Sequence, residues 1–150
     1  MSEVFYRIVV PTDFSAGSEE AWALAQRLAK ALSSELVLVH VFVEAPLWGE
    51  GPFTMEHTRS VFAEARKWVI EQLEQRVQQA AAGGLRARAV LREGGAAHDE
   101  IVALATDEHA DLIAMGTHGR GGLNRMLLGS VTDRVVRLAP CPVLTVRQPE

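Results

Sequence analysis

The chain has 150 residues, 48% of them hydrophobic and 23% charged, a formal net charge of −4 and a single cysteine, Cys141. This size and apolar content fit one globular domain over residues 1–150 and argue against disorder. The acidic balance, with no basic run and no aromatic–basic interleaving, argues against nucleic acid as the main ligand. A lone cysteine forms no internal disulfide and fits a reducing compartment; flanked by Pro140 and Pro142 in an apolar run, it reads as a buried structural thiol.

The start, "MSEVFYRIVVPTDFS", lacks the charged region and long apolar stretch of a signal peptide. No apolar run approaches the roughly 18 residues of a membrane span. A cytoplasmic protein with no membrane partner is expected. "YRIVVPTD" predicts a buried strand from about Val4 to Val10, stopped by Pro11. An amphipathic helix follows, with Ala21, Leu24, Ala25, Leu28 and Leu32 at helical spacing. Ser15 or Ser18 is placed to cap it, and Glu19 and Glu20 suit its positive end.

"ELVLVHVFVE" is almost continuously apolar, as strands of a parallel sheet buried on both faces are. A Pro- and Gly-containing loop, "APLWGEGPFT", leads to a helix over Met55–Ala82. Phe62, Val69, Leu73 and Val77 share one face of it, and Gly83-Gly84 ends it. "LRARAVLRE" alternates and predicts a half-exposed third strand. A helix with Ile101, Leu104 and Ala105 facing inward follows, then an apolar fourth strand, "DLIAMGT". The short helix "VTDRVVRLA" and a fifth strand, "CPVLTVRQ", complete the order. Strand and helix alternate throughout, which implies a parallel sheet with helices on both faces and right-handed crossovers.

Five of the twelve glycines fall in Gly116–Ser130, "GTHGRGGLNRMLLGS", between the fourth strand and the last helix. Glycine costs roughly 0.5–1 kcal/mol against alanine inside regular structure, so the concentration has a local reason. In open α/β sheets, ligands bind beyond the carboxyl ends of strands where the strand order reverses. The spacing Gly116-x2-Gly119-x9-Gly129-Ser130 is neither a P-loop nor a GxGxxG fingerprint, and no lysine is near. Backbone N–H groups of a glycine-rich turn and of a helix start nevertheless favour an anion such as phosphate. Arg120 and Arg125 bracket the segment. A plainer reading stands beside this one: "SVTD" matches a capping box, so Ser130 and Asp133 serve only to start a helix, and Gly121-Gly122 is a turn. His118, a lone loop histidine, is read as exposed and neutral rather than catalytic.

"IVVPTDFS", "LVLVHV" and "DLIAMGTHGRGGLNRMLLGSVTDRVVRLAPCPVLTVR" together resemble the universal stress proteins over nearly the whole chain. The resemblance implies an α/β fold like that of the adenine nucleotide α-hydrolases: an open five-stranded parallel sheet in the order 3-2-1-4-5. It places Pro11–Asp13 beside Met115–Gly119. The complete G-x2-G-x9-G-[ST] pattern marks the ATP-binding members. It implies that Gly116, Gly119, Gly129 and Ser130 contact the phosphates and ribose, with the N–H groups of Val131 and Thr132 beside them. Asp13 is implied near the ribose, or near a magnesium or manganese ion on the phosphates. Val41 is implied to bond adenine through its backbone, and Pro11, Thr12 and Met115 to line the base and sugar pocket. Read by itself, Asp13 also fits a helix-entry cap before Phe14 and Ser15. The sequence departs from the family before the third helix, where "GGAAHDEI" lacks a glycine-proline pair. For Trp48, a nucleotide cover and an exposed or dimer contact both stay open.

The resemblance implies an ATP-binding stress-response regulator with little or no hydrolysis, AMP or ADP being alternative ligands. An ATP-using enzyme and a nucleotide-free interaction module compete with it. The last strand, Pro142 to Arg147, is apolar and implied at a sheet edge, so a homodimer through it is expected.

Overall fold

The computed structural model describes residues 4–43, 55–119 and 128–149. Five strands, β1 (Arg7–Pro11), β2 (Glu35–Phe42), β3 (Arg86–Glu93), β4 (Leu112–Gly116) and β5 (Val143–Val146), form one parallel sheet in the order β3-β2-β1-β4-β5. Among the described residues four helices connect them: α1 (Ala16–Leu32), α2 (Met55–Ala82), α3 (Ala97–Asp107) and α4 (Ser130–Leu138). The expected strand order and helix count are those observed.

Alternation along the central strands divides the interior into two layers. Ile8, Val10, Leu36, Leu38, Leu112 and Ala114 face α1 and α2, where Trp22, Ala25, Val69 and Leu73 complete one core. Val9, Val37, Val39, Ile113 and Met115 face the other way, against Ile101 and Leu104 of α3 and Val135 of α4. Each fully buried aliphatic side chain of this kind stabilises the fold by about 1.5–3 kcal/mol. Cys141 is half-buried against the second core, and burial pushes its thiol up, with Asp111 adding to the effect.

Three expectations need correction. The first strand is shorter than read and runs through Pro11; Val4 is exposed. The buried face of α1 is Gly17, Ser18, Ala21, Trp22, Ala25 and Ala29, whereas Leu32 is exposed and Leu24 and Leu28 are only half-buried. The last helix starts one residue early: Gly129 is the N-cap, Ser130 is already helical, and no side chain caps this end. Ser130 and Asp133 therefore form no capping box; the Asp133 N–H bonds the Gly129 carbonyl as the first helical turn. At α1, Ser15 and not Ser18 is the cap.

Candidate functional site

β1 turns toward α1 immediately after Pro11, and its neighbour β4 ends at Gly116, so the chain opens a crevice between them at the reversal of strand order. The bend is built from short-range bonds. The Thr12 N–H donates to the Val39 carbonyl at 2.8 Å, and Thr12 Oγ1 accepts the Phe14 N–H at 3.0 Å and donates to Ser18 Oγ at 3.1 Å. Asp13 Oδ1 accepts the Ser15 N–H at 3.0 Å, Ser18 Oγ–H at 3.1 Å and the Ser15 hydroxyl. These bonds orient the carboxylate, and its Oδ2 lies toward Gly119. A methyl group on Gly119 would stand 2.5 Å from that oxygen.

On the opposite wall, α4 presents its N-terminus. The Gly129 N–H is used by the Thr117 carbonyl at 2.8 Å, and Thr132 Oγ1 donates to the Gly116 carbonyl at 2.9 Å, which ties α4 to the end of β4. Ser130, Val131 and Thr132 supply the next N–H groups, at the end of a helix where no preceding turn offers carbonyls. Partial positive charge collects there.

Between the walls lies a cleft of about 360 Å³, within the roughly 300–1,000 Å³ usual for small-molecule sites. Pro11, Thr12, Asp13, Val41, Met115, Gly116, Gly119, Gly129, Ser130, Val131 and Thr132 all line it. Ser18, Val39, His40, Ala97, Ile101 and His118 line it too, and of these the sequence points only to His118, as a polar candidate beside Asp13. Val39 and His40 adjoin Val41 on β2, so their place followed from that strand alone. Ala97 and Ile101 arrive through the crossover of α3, which no local motif announces. His118 corrects an expectation: it is not exposed. Its ring is half-buried, Nδ1 lies 3.1 Å from Thr117 Oγ1, and Nε2 is buried without a hydrogen-bond partner among the described residues. Arg120, Arg125, Gly121, Gly122 and Trp48 lie outside the described residues.

The arrangement suits a ligand with a flat apolar part and an anionic tail. Val39, Val41, Ile101, Met115 and Val131 offer an apolar wall, while the α4 N-terminus offers N–H donors. Among the described residues, none that lines the cleft is lysine or arginine, so an anion would be met by backbone dipoles. No group of three or more His, Cys, Asp or Glu placed to hold a metal occurs among the described residues, and among them Asp13 is the one carboxylate lining the cleft.

Comparison with known proteins agrees with this geometry. A universal stress protein of Methanocaldococcus jannaschii is 38% identical, the alignment covering 98% of this chain and 85% of the relative. The solved structure of a second universal stress protein of that organism has a TM-score of 0.85 at 29% identity, covering 98% of this chain and 99% of the other. A universal stress protein solved in complex with cAMP has a TM-score of 0.70 at 26% identity, covering 97% and 99%. The universal stress protein family itself matches residues 5–147. With that match running almost end to end over a chain whose strand order agrees with its solved relatives, the protein belongs to the universal stress protein family.

Proposed function

We propose that this family member is a cytoplasmic ATP-binding regulator of the stress response, acting as a homodimer and hydrolysing ATP slowly at most. One observation carries the nucleotide reading. Residues from β1, β2, β4 and the start of α4 converge on one cleft that is apolar on one side and rich in backbone donors on the other. The family neighbour solved with cAMP supports an adenine nucleotide as the ligand class.

In this reading, adenine lies along Val39, Val41 and Met115, with the Val41 backbone as its hydrogen-bond partner. Pro11 and Thr12 flank the sugar. The triphosphate takes the N–H groups at Ser130, Val131 and Thr132, beside Gly116, Gly119 and Gly129, which line the cleft. Thr132 contributes only its N–H, because its hydroxyl is committed to the Gly116 carbonyl. A magnesium or manganese ion would neutralise charge on the phosphates; Asp13 is the residue to hold it, and the ion would arrive with the nucleotide. Turnover needs a positioned water or base and charge stabilisation on the transferred phosphoryl group. Asp13 Oδ1 is already occupied by three donors of the α1 entry, which suits holding better than proton transfer.

Titration calorimetry with Mg-ATP checks the reading. Saturable one-to-one binding is expected, together with adenine nucleotide found by mass spectrometry of the freshly purified folded protein. No binding heat at millimolar ATP would overturn it. ATP turnover at about 1 s⁻¹ or faster, the ordinary enzyme range, would replace the regulator by an enzyme.

A further inference from the structure

Phe14 lies in the left-handed region of backbone space, at φ 63°. A bulky residue is strained there, where glycine or asparagine is the ordinary occupant. The strain falls in the bend between β1 and α1, directly after Asp13. The two residues serve opposite faces of the sheet: Asp13 lines the cleft, while the Phe14 ring packs on the core beneath α1 and α2.

That ring is held from three sides. It stacks on His40, with centroids 5.0 Å apart and planes 27° apart, and meets Trp68 of α2 edge-on at 5.3 Å. The Arg76 guanidinium lies 4.9 Å over it and is itself fixed by Glu19 at 2.8 Å. His40 also donates Nδ1–H to the Thr12 carbonyl at 2.8 Å. One aromatic cluster therefore grips the backbone on both sides of Asp13. Strain of this kind persists only where the surroundings over-determine it, and it concentrates at binding sites.

We propose that Phe14 is a positioning residue for the cleft. Its ring, anchored by His40, Trp68 and Arg76, holds the bend in the left-handed conformation that turns Asp13 toward Gly119. The inference rests on the reading of the cleft as an adenine-nucleotide site. Without the anchor the bend relaxes, fewer molecules hold Asp13 in place, and affinity falls with that fraction.

Mg-ATP affinity, measured by calorimetry on variants whose fold is checked by circular dichroism, tests this. Phe14→Gly accepts the left-handed conformation without strain but removes the ring. If one molecule in about ten then holds the bend, affinity drops about tenfold, whereas Phe14→Tyr, which keeps the ring, stays within about twofold of wild type. Trp68→Ala alters a half-exposed residue outside the cleft and weakens binding in the same direction, so the test stands even where Phe14→Gly does not fold. In an Asp13→Ala background, Phe14→Gly should add little, because the group it places is gone. Losses that simply multiply across the two positions overturn the proposal. So does wild-type affinity in Phe14→Gly, or in Trp68→Ala where Phe14→Gly does not fold. If wild type itself does not bind Mg-ATP, the nucleotide reading fails first and this inference falls with it.

Discussion

A methyl group on Gly116 would lie 2.9 Å from the carbonyl carbon of Gly17 and 3.3 Å from the Ser18 nitrogen, whereas one on Gly129 would meet nothing closer than the Thr117 carbonyl at 3.3 Å. Two glycines of one sequence signature thus pack against different stretches of backbone, Gly116 the more tightly. Gly116 lets the first turn of α1 press backbone to backbone against the end of β4, and Gly17 does the same from its side, with the His118 carbonyl at 2.9 Å. Gly129 takes an ordinary extended conformation, and a methyl group there would also stand 3.4 Å from the His118 Cα, so its bareness lets the α4 N-terminus seat on the segment after β4. Gly116→Ala is accordingly expected to destabilise the fold by about 1–3 kcal/mol, as overpacking does. Gly129→Leu should abolish ATP binding and lower the melt as well, because its side chain would start 3.3 Å from the Thr117 carbonyl. Thermal denaturation and calorimetry on both variants check this; a wild-type melt for Gly116→Ala would remove the packing role. At this scale the motif was legible but the packing inside it was not. Gly17 and Gly116 lie far apart in sequence, and a contact between two backbones leaves no pattern in side-chain type. His40 was equally silent, one residue within a strand that is otherwise almost continuously apolar.

The helices show how far periodicity reaches. For α2, a long helix with few competing apolar faces, the sequence reading matches the observed bounds, and Val69 and Leu73 are buried as expected. For α1 the apolar residues form a broad stripe, and the backbone contact at Gly17 selects its small edge. Gly17, Ala21, Ala25 and Ala29, one per turn, face inward and turn Leu32 out. At the amino ends of the strands the elements are joined by charge. Arg7 of β1, Glu35 of β2, Arg88 of β3 and Glu108 at the end of α3 form a half-buried network, including Arg88 to Glu35 at 2.9 Å and Arg7 to Glu35 at 3.3 Å. Burial pushes the Glu35 carboxyl up, but hydrogen bonds and charge from Arg88 and Arg7 outweigh it and hold it below its ordinary value. Glu108 is held low chiefly by its hydrogen bond from Arg88, against burial. A carboxylate with a lower value folded than unfolded stabilises the protein fully above the unfolded value, 4.5, and loses that contribution as pH falls through the folded one. Melting temperature should therefore hold near neutrality and fall below about pH 5. In Glu108→Gln it should start lower and decline less steeply; equal slopes for the two proteins in a pH series of melts would show that the network does not carry the dependence.

The sheet as a whole has two edges, and they differ in character. β3 carries Arg86, Arg88, Arg92 and Glu93, several of them in ion pairs, and long charged side chains discourage pairing with another chain. β5 reads "VLTV", holds no charge, and has no strand beyond it among the described residues. An apolar edge of this kind offers a row of N–H and C=O groups to a twofold copy of itself. Nearby, Val136 and Leu138 of α4 are 44% and 56% exposed, so the proposed dimer would also have apolar surface to cover beside the edge. The place to break it follows from how β5 packs. Val143 rests on the α3/α4 core and Leu144 on the α1/α2 core, so charge at either position would damage the fold itself. Val146 belongs to neither core cluster, although its carbonyl accepts the Thr117 N–H at 3.1 Å, which a side-chain substitution leaves in place. Val146→Glu on both copies would set two like charges on one edge, which is destabilising. Light scattering at micromolar concentration should then give a dimer mass for wild type and a monomer mass for Val146→Glu, with circular dichroism unchanged. A wild-type monomer would exclude the dimer. A wild-type dimer that persists in Val146→Glu would move the interface to another face of the molecule.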